Sequence, residues 1–385
     1  MDKKMVPEVR FKGFSDDWEQ HSFQNTLIIH SGKDYKHLNK GNIPVYGTGG
    51  YMLSVDEKLS KVDGIGLGRK GTIDKPQYLK APFWTVDTLF YMTPKPNFEI
   101  LFLYAIVQKY NWKKLNEASG VPSLSKKTIE KVIQFYPVQL EQKKLGILLK
   151  TITEAVLLQQ RQLDSYNKLK KGLLQKLFPK DREKLPEMRF AYFTGDWEQV
   201  KLSDLTKFHK QGFYTTESYN ESKKYYLLRG TDLTGNKLAV HDDTPKINAS
   251  EKEFNDFKVE VGDVLLVRSG GVGTYGIVYD EVQGIFGSYL IDFRFDQTQM
   301  LNEFFGYFYE SDLFKQQLRR ISQKSANLNI NAENIKSISI DLPSIEEQKK
   351  IESILKQIDS LITLQQEKMN ELEALKKYLL QKLFI

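Results

Sequence analysis

Apolar residues recur in steps of three and four from Glu141 to Pro179, at Leu145, Leu148, Ile152, Val156, Leu163, Tyr166, Leu169, Leu173 and Leu177. The stretch returns 206 positions later, from Glu347 to Ile385, with Ile351, Ile354, Ile358, Leu361, Met369, Leu372, Leu375, Leu379 and Leu383 at the apolar places. Such spacing puts one apolar stripe on a long helix. Only Gly146 and Gly172 interrupt the first copy, and neither Pro nor Gly breaks the second after Pro343. About 38 helical residues would reach roughly 57 Å. A rod with one apolar side needs a partner, and its own duplicate is the nearest candidate. The pattern therefore predicts an antiparallel coiled coil, with Leu148, Ile152, Val156, Leu163, Leu173 and Leu177 facing Ile354, Ile358, Leu361, Met369, Leu372 and Leu379. An amphipathic helix lying on a globular core is the alternative.

A second repeat frames the first. VPEVRFKGFSDDWEQ (Val6 to Gln20) recurs as LPEMRFAYFTGDWEQ (Leu185 to Gln199), 179 positions later. Trp18 and Trp197 read as packing anchors. The chain is thus lead-in, variable insert, helix, written twice. Expected boundaries are 1–140 for the first variable domain, 141–179 for its helix, 180–346 for the second domain and 347–385 for the last helix. Pro179 and Pro186, among charges, mark the linker. Each insert is α+β in character, with short strands and Gly-rich turns. EILFLYAIVQKY (Glu99 to Tyr110) reads as a buried helix, Ser125 as the cap of a short turn, and KVIQFYPV as a strand. The stretch from Leu301 to Gln323 reads as one or two helices. EASGVPSLSKKTIEKVIQFYP aligns with KSANLNINAENIKSISIDLP at the 206 offset, so both inserts should share one fold.

Composition narrows the function. The 385 residues carry a formal net charge of +7, which suits an anionic partner mildly. There is no cysteine, so disulfides and thiolate metal sites are excluded and a reducing cytoplasm is the expected setting. No apolar leader or membrane-length run is visible. Gly66, Gly68 and Gly71, and again Gly271, Gly273 and Gly276, satisfy G-x-G-x-x-G, but TIDKP and IVYDE follow instead of a helix, so no dinucleotide site is expected. The five histidines lack ligand spacing, and neither a metal set nor a catalytic constellation emerges.

Arginines embedded in glycine turns are more telling. GRKG presents Arg69 and Lys70, and VRSGG presents Arg268 and Ser269. A guanidinium fork matches guanine O6 and N7 or a phosphate, and a glycine turn lets backbone approach a duplex. An ordinary surface hairpin is the alternative. Lys33, Lys36, Tyr46 and Tyr51 in the first insert, and Arg229, Tyr275, Arg320 and Lys324 in the second, complete the candidate DNA-contacting set.

The order of these pieces resembles the specificity subunit of type I restriction-modification systems. The resemblance rests on the two PE-x-RF…DWEQ openings, IPVYGTGGY, VGDVLLVRSGGVGTYGIV, SLSKKTIEKVIQFYP before PVQLEQKK, LPSIEEQKK and both QKLF ends. It implies two tandem α/β target recognition domains separated by two long helices that form an antiparallel coiled coil. Each domain would read half of an asymmetric, bipartite double-stranded DNA target. Two methyltransferase subunits and two restriction/translocase subunits would be partners. S-adenosylmethionine, ATP and magnesium would belong to those partners, leaving this chain without cofactor or catalysis. The first insert departs from the family's GDILLxRxG form, reading VDGIGLGRKG. A coiled-coil adaptor with two protein-binding heads is the competing class; it would show apolar patches on the inserts and no duplex affinity.

Overall fold

The structure is a computed structural model in which residues 5–181, 183–216, 223–268, 273–322 and 331–385 are described. The fold divides into two compact units, one comprising residues up to Gln160 with Glu367–Ile385, the other Arg161–Gln366.

The first unit contains β1 (Glu19–Ser22), the single turn α1 (Phe23–Thr26), β2 (Leu27–Ser31), β3 (Lys40–Gly47), β4 (Gly50–Val55), β5 (Gly64–Gly68), β6 (Gln77–Leu79), β7 (Trp84–Thr85), β8 (Leu89–Pro94), α2 (Ile100–Lys109), α3 (Lys126–Glu130) and β9 (Ile133–Tyr136). The long helix α4 follows (Gln139–Leu177). The second unit holds β10 (Glu198–Lys201), α5 (Leu202–Leu205), β11 (Thr206–Gln211), β12 (Tyr225–Leu228), β13 (Leu233–Thr234), β14 (Lys237–Leu238), β15 (Lys246–Ile247), α6 (Glu251–Phe257), β16 (Val264–Val267), β17 (Tyr275–Ile277), β18 (Gly284–Phe286), β19 (Leu290–Phe295), α7 (Asn302–Glu310), α8 (Asp312–Ser322), α9 (Ala332–Lys336) and β20 (Ser339–Leu342). The chain ends in α10 (Ile345–Lys382).

Both units are built on one plan. The order β2-β8-β5-β6 in the first matches β11-β19-β16-β17 in the second, where β14 and β13 extend the sheet. Smaller sheets β4-β3-β7 and β15-β12-β18 accompany them, and β1·β9 and β10·β20 close each insert. The frame is held by identical bonds. Ser125 caps α3 through Thr128 N–H, and Asn331 caps α9 through Asn334 N–H. Gln142 accepts from Glu99 N–H and donates to Pro137 O; Gln348 accepts from Leu301 N–H and donates to Pro343 O. Arg10 forks onto Glu141 with two 2.8 Å bonds, and Arg189 onto Glu347 at 2.8 and 2.9 Å. Trp18 lies edge-on to Phe102, and Trp197 to Phe304, as buried anchors. Val9 N–H donates to Lys382 O in the first unit; Met188 N–H donates to Lys176 O in the second.

The two long helices run antiparallel. In the first unit Leu145 and Leu149 of α4 share a core with Leu379, Leu383 and Phe384. In the second, Leu174 and Leu177 share one with Ile351 and Leu355, while Gln365 donates to Gln162 at 2.8 Å. The seam positions follow a seven-residue repeat: Leu145, Ile152, Gln159, Tyr166 and Leu173, with Leu149, Val156, Leu163, Lys170 and Leu177 between them. The same places in α10 are Ile351, Ile358, Gln365, Leu372 and Leu379, with Leu355, Ile362, Met369, Lys376 and Leu383. This corrects the expected seam. Leu361 is exposed and Ile362 takes its place. Leu148 and Ile354 are half-buried beside the seam, and Leu149 and Leu355 are its buried members. Neighbouring apolar residues made the choice ambiguous, and the polar seam residues carried no hydrophobic signal.

One buried carboxylate in the second unit has a measurable consequence. Asp292, on β19, is fully buried, and neither carboxylate oxygen has a hydrogen-bond partner. The nearest guanidinium, Arg294, is 4.0 Å away and already engages Asp263 at 2.6 Å and Glu260 at 2.9 Å. Burial, and then the charge of Asp263, push the Asp292 carboxyl up to about 8. An unfolded aspartate titrates near 4. Between about pH 4 and about 8 the folded unit keeps a proton that the unfolded chain releases, so stability falls as pH rises, by up to about 1.4 kcal/mol per pH unit. Asp292→Asn should remove that slope. Urea midpoints at pH 6 and pH 8.5 should differ less for the variant than for the parent chain; equal differences would refute the assignment.

Candidate nucleic-acid interface

Arg69 follows directly on β5, and Arg268 directly on β16. Gly68 pairs with Leu89 of β8, and Val267 with Leu290 of β19. Each arginine N–H then donates to the carbonyl just before that partner strand, Arg69 to Thr88 O at 2.8 Å and Arg268 to Tyr289 O at 2.9 Å. The two arginines therefore occupy one backbone position in two copies of the fold. Arg69 O also accepts from Leu124 N–H at 2.9 Å, and Gly71 N–H donates to Pro122 O at 2.8 Å, so this turn is clamped while its side chain stays exposed. Phe90 supports the guanidinium from 5.8 Å.

A second feature lies at the same sheet end. Gly32 N–H donates to Leu89 O and Gly212 N–H to Leu290 O. A Cβ on either glycine would stand 2.0 Å from a carbonyl, Val86 O or Gly287 O, so no side chain fits. The chain turns there into Lys33 and Lys36 in the first unit, both exposed, and into Phe213 and Tyr214 in the second. The β3–β4 hairpin joins the first unit's surface: Val86 N–H donates to Tyr46 O, Tyr46 is half-buried and Tyr51 is exposed, the rings 6.4 Å apart edge-on. The first unit thus brings Lys33, Arg69 and Lys70 to one end of the β2-β8-β5-β6 sheet, with the Tyr46–Tyr51 hairpin of the neighbouring sheet joined through Val86.

The second unit offers a different surface. Tyr214 and Tyr289, 76% and 68% exposed, line a cavity of about 600 Å³ with Val267 and Arg229. Sequence reasoning missed both tyrosines; the pairing of Gly32 with Gly212 was the signal that could have located Tyr214. Arg229 sits at the rim, committed to buried Asp232 at 3.3 Å. One expected contact is corrected. Tyr275 is a core residue packed on α7, where a Cβ on Gly306 would lie 2.3 Å from its ring. Arg320 stays exposed on α8 and forks onto Asp181 at 3.1 and 2.8 Å through two of its donors. Ser269 and Lys324, with Gly271, lie outside the described residues.

Among the described residues, no group of three or more His, Asp and Glu could hold a metal, and no helix is long and apolar enough to cross a membrane. The sequence pattern of the type I restriction modification DNA specificity domain matches residues 23–166 and 194–374. The chain belongs to that family. The type I restriction enzyme MjaVIII specificity subunit of Methanocaldococcus jannaschii is 23% identical over 288 residues, 72% of this chain and 68% of that one. The crystal structure of a type I restriction-modification S subunit from M. genitalium matches over 99% of both chains, with a TM-score of 0.72 and 14% identity. A structure from work on complex assembly and conformational transition of the type I R-M system matches 95% of this chain and 97% of that one, with a TM-score of 0.54 and 15% identity. The shared fold is that of these specificity subunits: two α+β units and two long helices.

Proposed function

We propose that this specificity-family chain is the DNA-reading subunit of a type I restriction-modification complex, with each unit contacting one half of a bipartite, asymmetric target. The observation that carries the reading is the common placement of Arg69 and Arg268 at one strand end, surrounded by unlike neighbours: lysines and a tyrosine hairpin in one unit, exposed tyrosines and a cavity in the other. A common frame with different surfaces suits two different base sequences. The long helices, continuous from one unit into the other, would fix the spacing between half-sites.

The chain would position two methyltransferase subunits and two restriction/translocase subunits. Leu158 and Leu364, and Leu169 and Leu375, are about half exposed at matching places of α4 and α10, which suits two copies of one partner. S-adenosylmethionine, ATP and magnesium would serve those subunits, and this chain would contribute recognition alone.

Co-expression with a methyltransferase subunit, followed by genome-wide mapping of methylated adenine, tests the reading. Two short half-sites at one fixed separation are expected. Absence of duplex binding would favour a coiled-coil adaptor instead. Arg268→Ala should weaken binding or relax one base position by about 1–3 kcal/mol, and Arg69→Ala should do so in the other half-site. Competition binding against single-base target variants checks both; unchanged discrimination would remove these residues from the interface.

A further inference from the structure

Lys170 of α4 and Lys376 of α10 hold the same seam position, 206 residues apart. In the second unit the chain neutralises its own lysine. Lys170 Nζ lies 2.6 Å from Glu310 and 2.8 Å from Asp359, which also accepts from Tyr307 Oη at 2.9 Å. Burial works against the ammonium, but these two carboxylates outweigh it and raise its pKa.

The first unit lacks both acids. Phe102 and Phe304, each edge-on to its anchor tryptophan, align α2 with α7 and set Gln108 at the place of Glu310. The helix repeat sets Thr153 at the place of Asp359. Gln108 turns to Tyr104 Oη at 2.8 Å instead. Lys376 is half-buried and, among the described residues, has no carboxylate within ion-pair distance. Burial holds its pKa below the ordinary lysine value despite Glu373 nearby. Beside it opens a cavity of about 140 Å³, walled by Leu101, Tyr104, Ala105, Leu149 and Leu380. Lys150 and Glu154 at the edge pair with each other at 3.7 Å.

We propose that this cavity is a receptor for an acidic side chain presented on an apolar helix of the methyltransferase subunit, with Lys376 as its counter-ion. The inference rests on the functional reading above. The volume is close to that of an apolar cavity of about 150 Å³ that admits one benzene-sized group, so it takes one side chain. Lys376, the lining cation not paired with an acid (Lys150 pairs with Glu154), stands against apolar walls, which fixes orientation and selects a carboxylate. The duplicate copy shows the chemistry that this lysine position accepts, because Glu310 and Asp359 pair with Lys170 there. The two partner subunits would then dock unequally, one gaining an ion pair that the other does not.

The test uses the full chain with its co-expressed methyltransferase subunit, read by native mass spectrometry and titration. Lys376→Met removes the counter-ion. The double variant Gln108→Glu with Thr153→Asp closes the site with the acids of the second unit. Each should weaken one of two bound methyltransferase subunits by about tenfold or more and leave the other unchanged. The closed variant should keep or raise the melting temperature, which separates a lost contact from misfolding. Two subunits bound at parental affinity by both variants would overturn the receptor while leaving the functional reading intact. A parental chain that binds none would overturn the functional reading and the receptor with it.

Discussion

Duplicating residues 154–160 in α4 and 360–366 in α10 together is expected to lengthen the spacer by about three base pairs and leave both half-sites unchanged. The two segments are equivalent, 206 positions apart, and end opposite each other where Gln162 meets Gln365. Seven residues preserve the seam repeat, so the inserted turns keep their apolar residues facing the partner helix. The added rise is about 10.5 Å at 1.5 Å per residue. Duplex DNA advances about 3.4 Å per base pair. The parental target should lose specific binding, because each unit then meets only its own half-site at a time and the gain from linkage disappears. Methylation mapping of the variant gives half-sites and spacing together. Altered half-sites with the old spacing would show that the helices do not measure the target.

Arg189→Ala is expected to cost about 3–5 kcal/mol of the second unit's stability, the range for stripping one partner from a buried ion pair. Glu347 is 1% exposed and its two oxygens are held by the guanidinium fork. Removing the fork leaves a desolvated charge at the start of α10 and frees the lead-in that docks on Lys176. Arg189→Lys should recover little, since an ammonium cannot make the paired bonds. Adding Glu347→Gln to Arg189→Ala should restore part of the loss by removing the orphaned charge. Arg10 and Glu141 make the same pair in the first unit, so Arg10→Ala is the matching control. Denaturant midpoints measure all four variants. A shift below 1 kcal/mol would mean that the pair is not needed to hold the lead-in.

The frame of this chain was legible because it is written twice. Constant offsets of 179 and 206 exposed the lead-ins and the helices, and a duplicated bond pattern follows from a duplicated sequence. The tryptophan anchors, the Ser125 cap and the helix at Glu99 to Tyr110 all came from local pattern. Helix periodicity reports an apolar face, and a cap is a contact within one turn, so neither needs distant residues.

Tertiary structure decided what depends on distant partners. Arg69 and Arg268 lie 199 positions apart, an offset that neither frame repeat predicts; the glycine turns made them candidates, and their bonds to Thr88 O and Tyr289 O put them at one backbone position. Tyr275 is a candidate DNA contact on the sequence and is core in the fold because α7 packs a glycine against it. Lys170 and Lys376 have the same place in the helix repeat, yet Glu310 and Asp359 satisfy one and, among the described residues, no carboxylate of the first unit replaces them for the other. A pattern of apolar and polar positions fixes which side of an element turns inward. Whether a charge on that side is paired, stranded or free to meet a partner depends on residues that the fold brings from elsewhere in the chain.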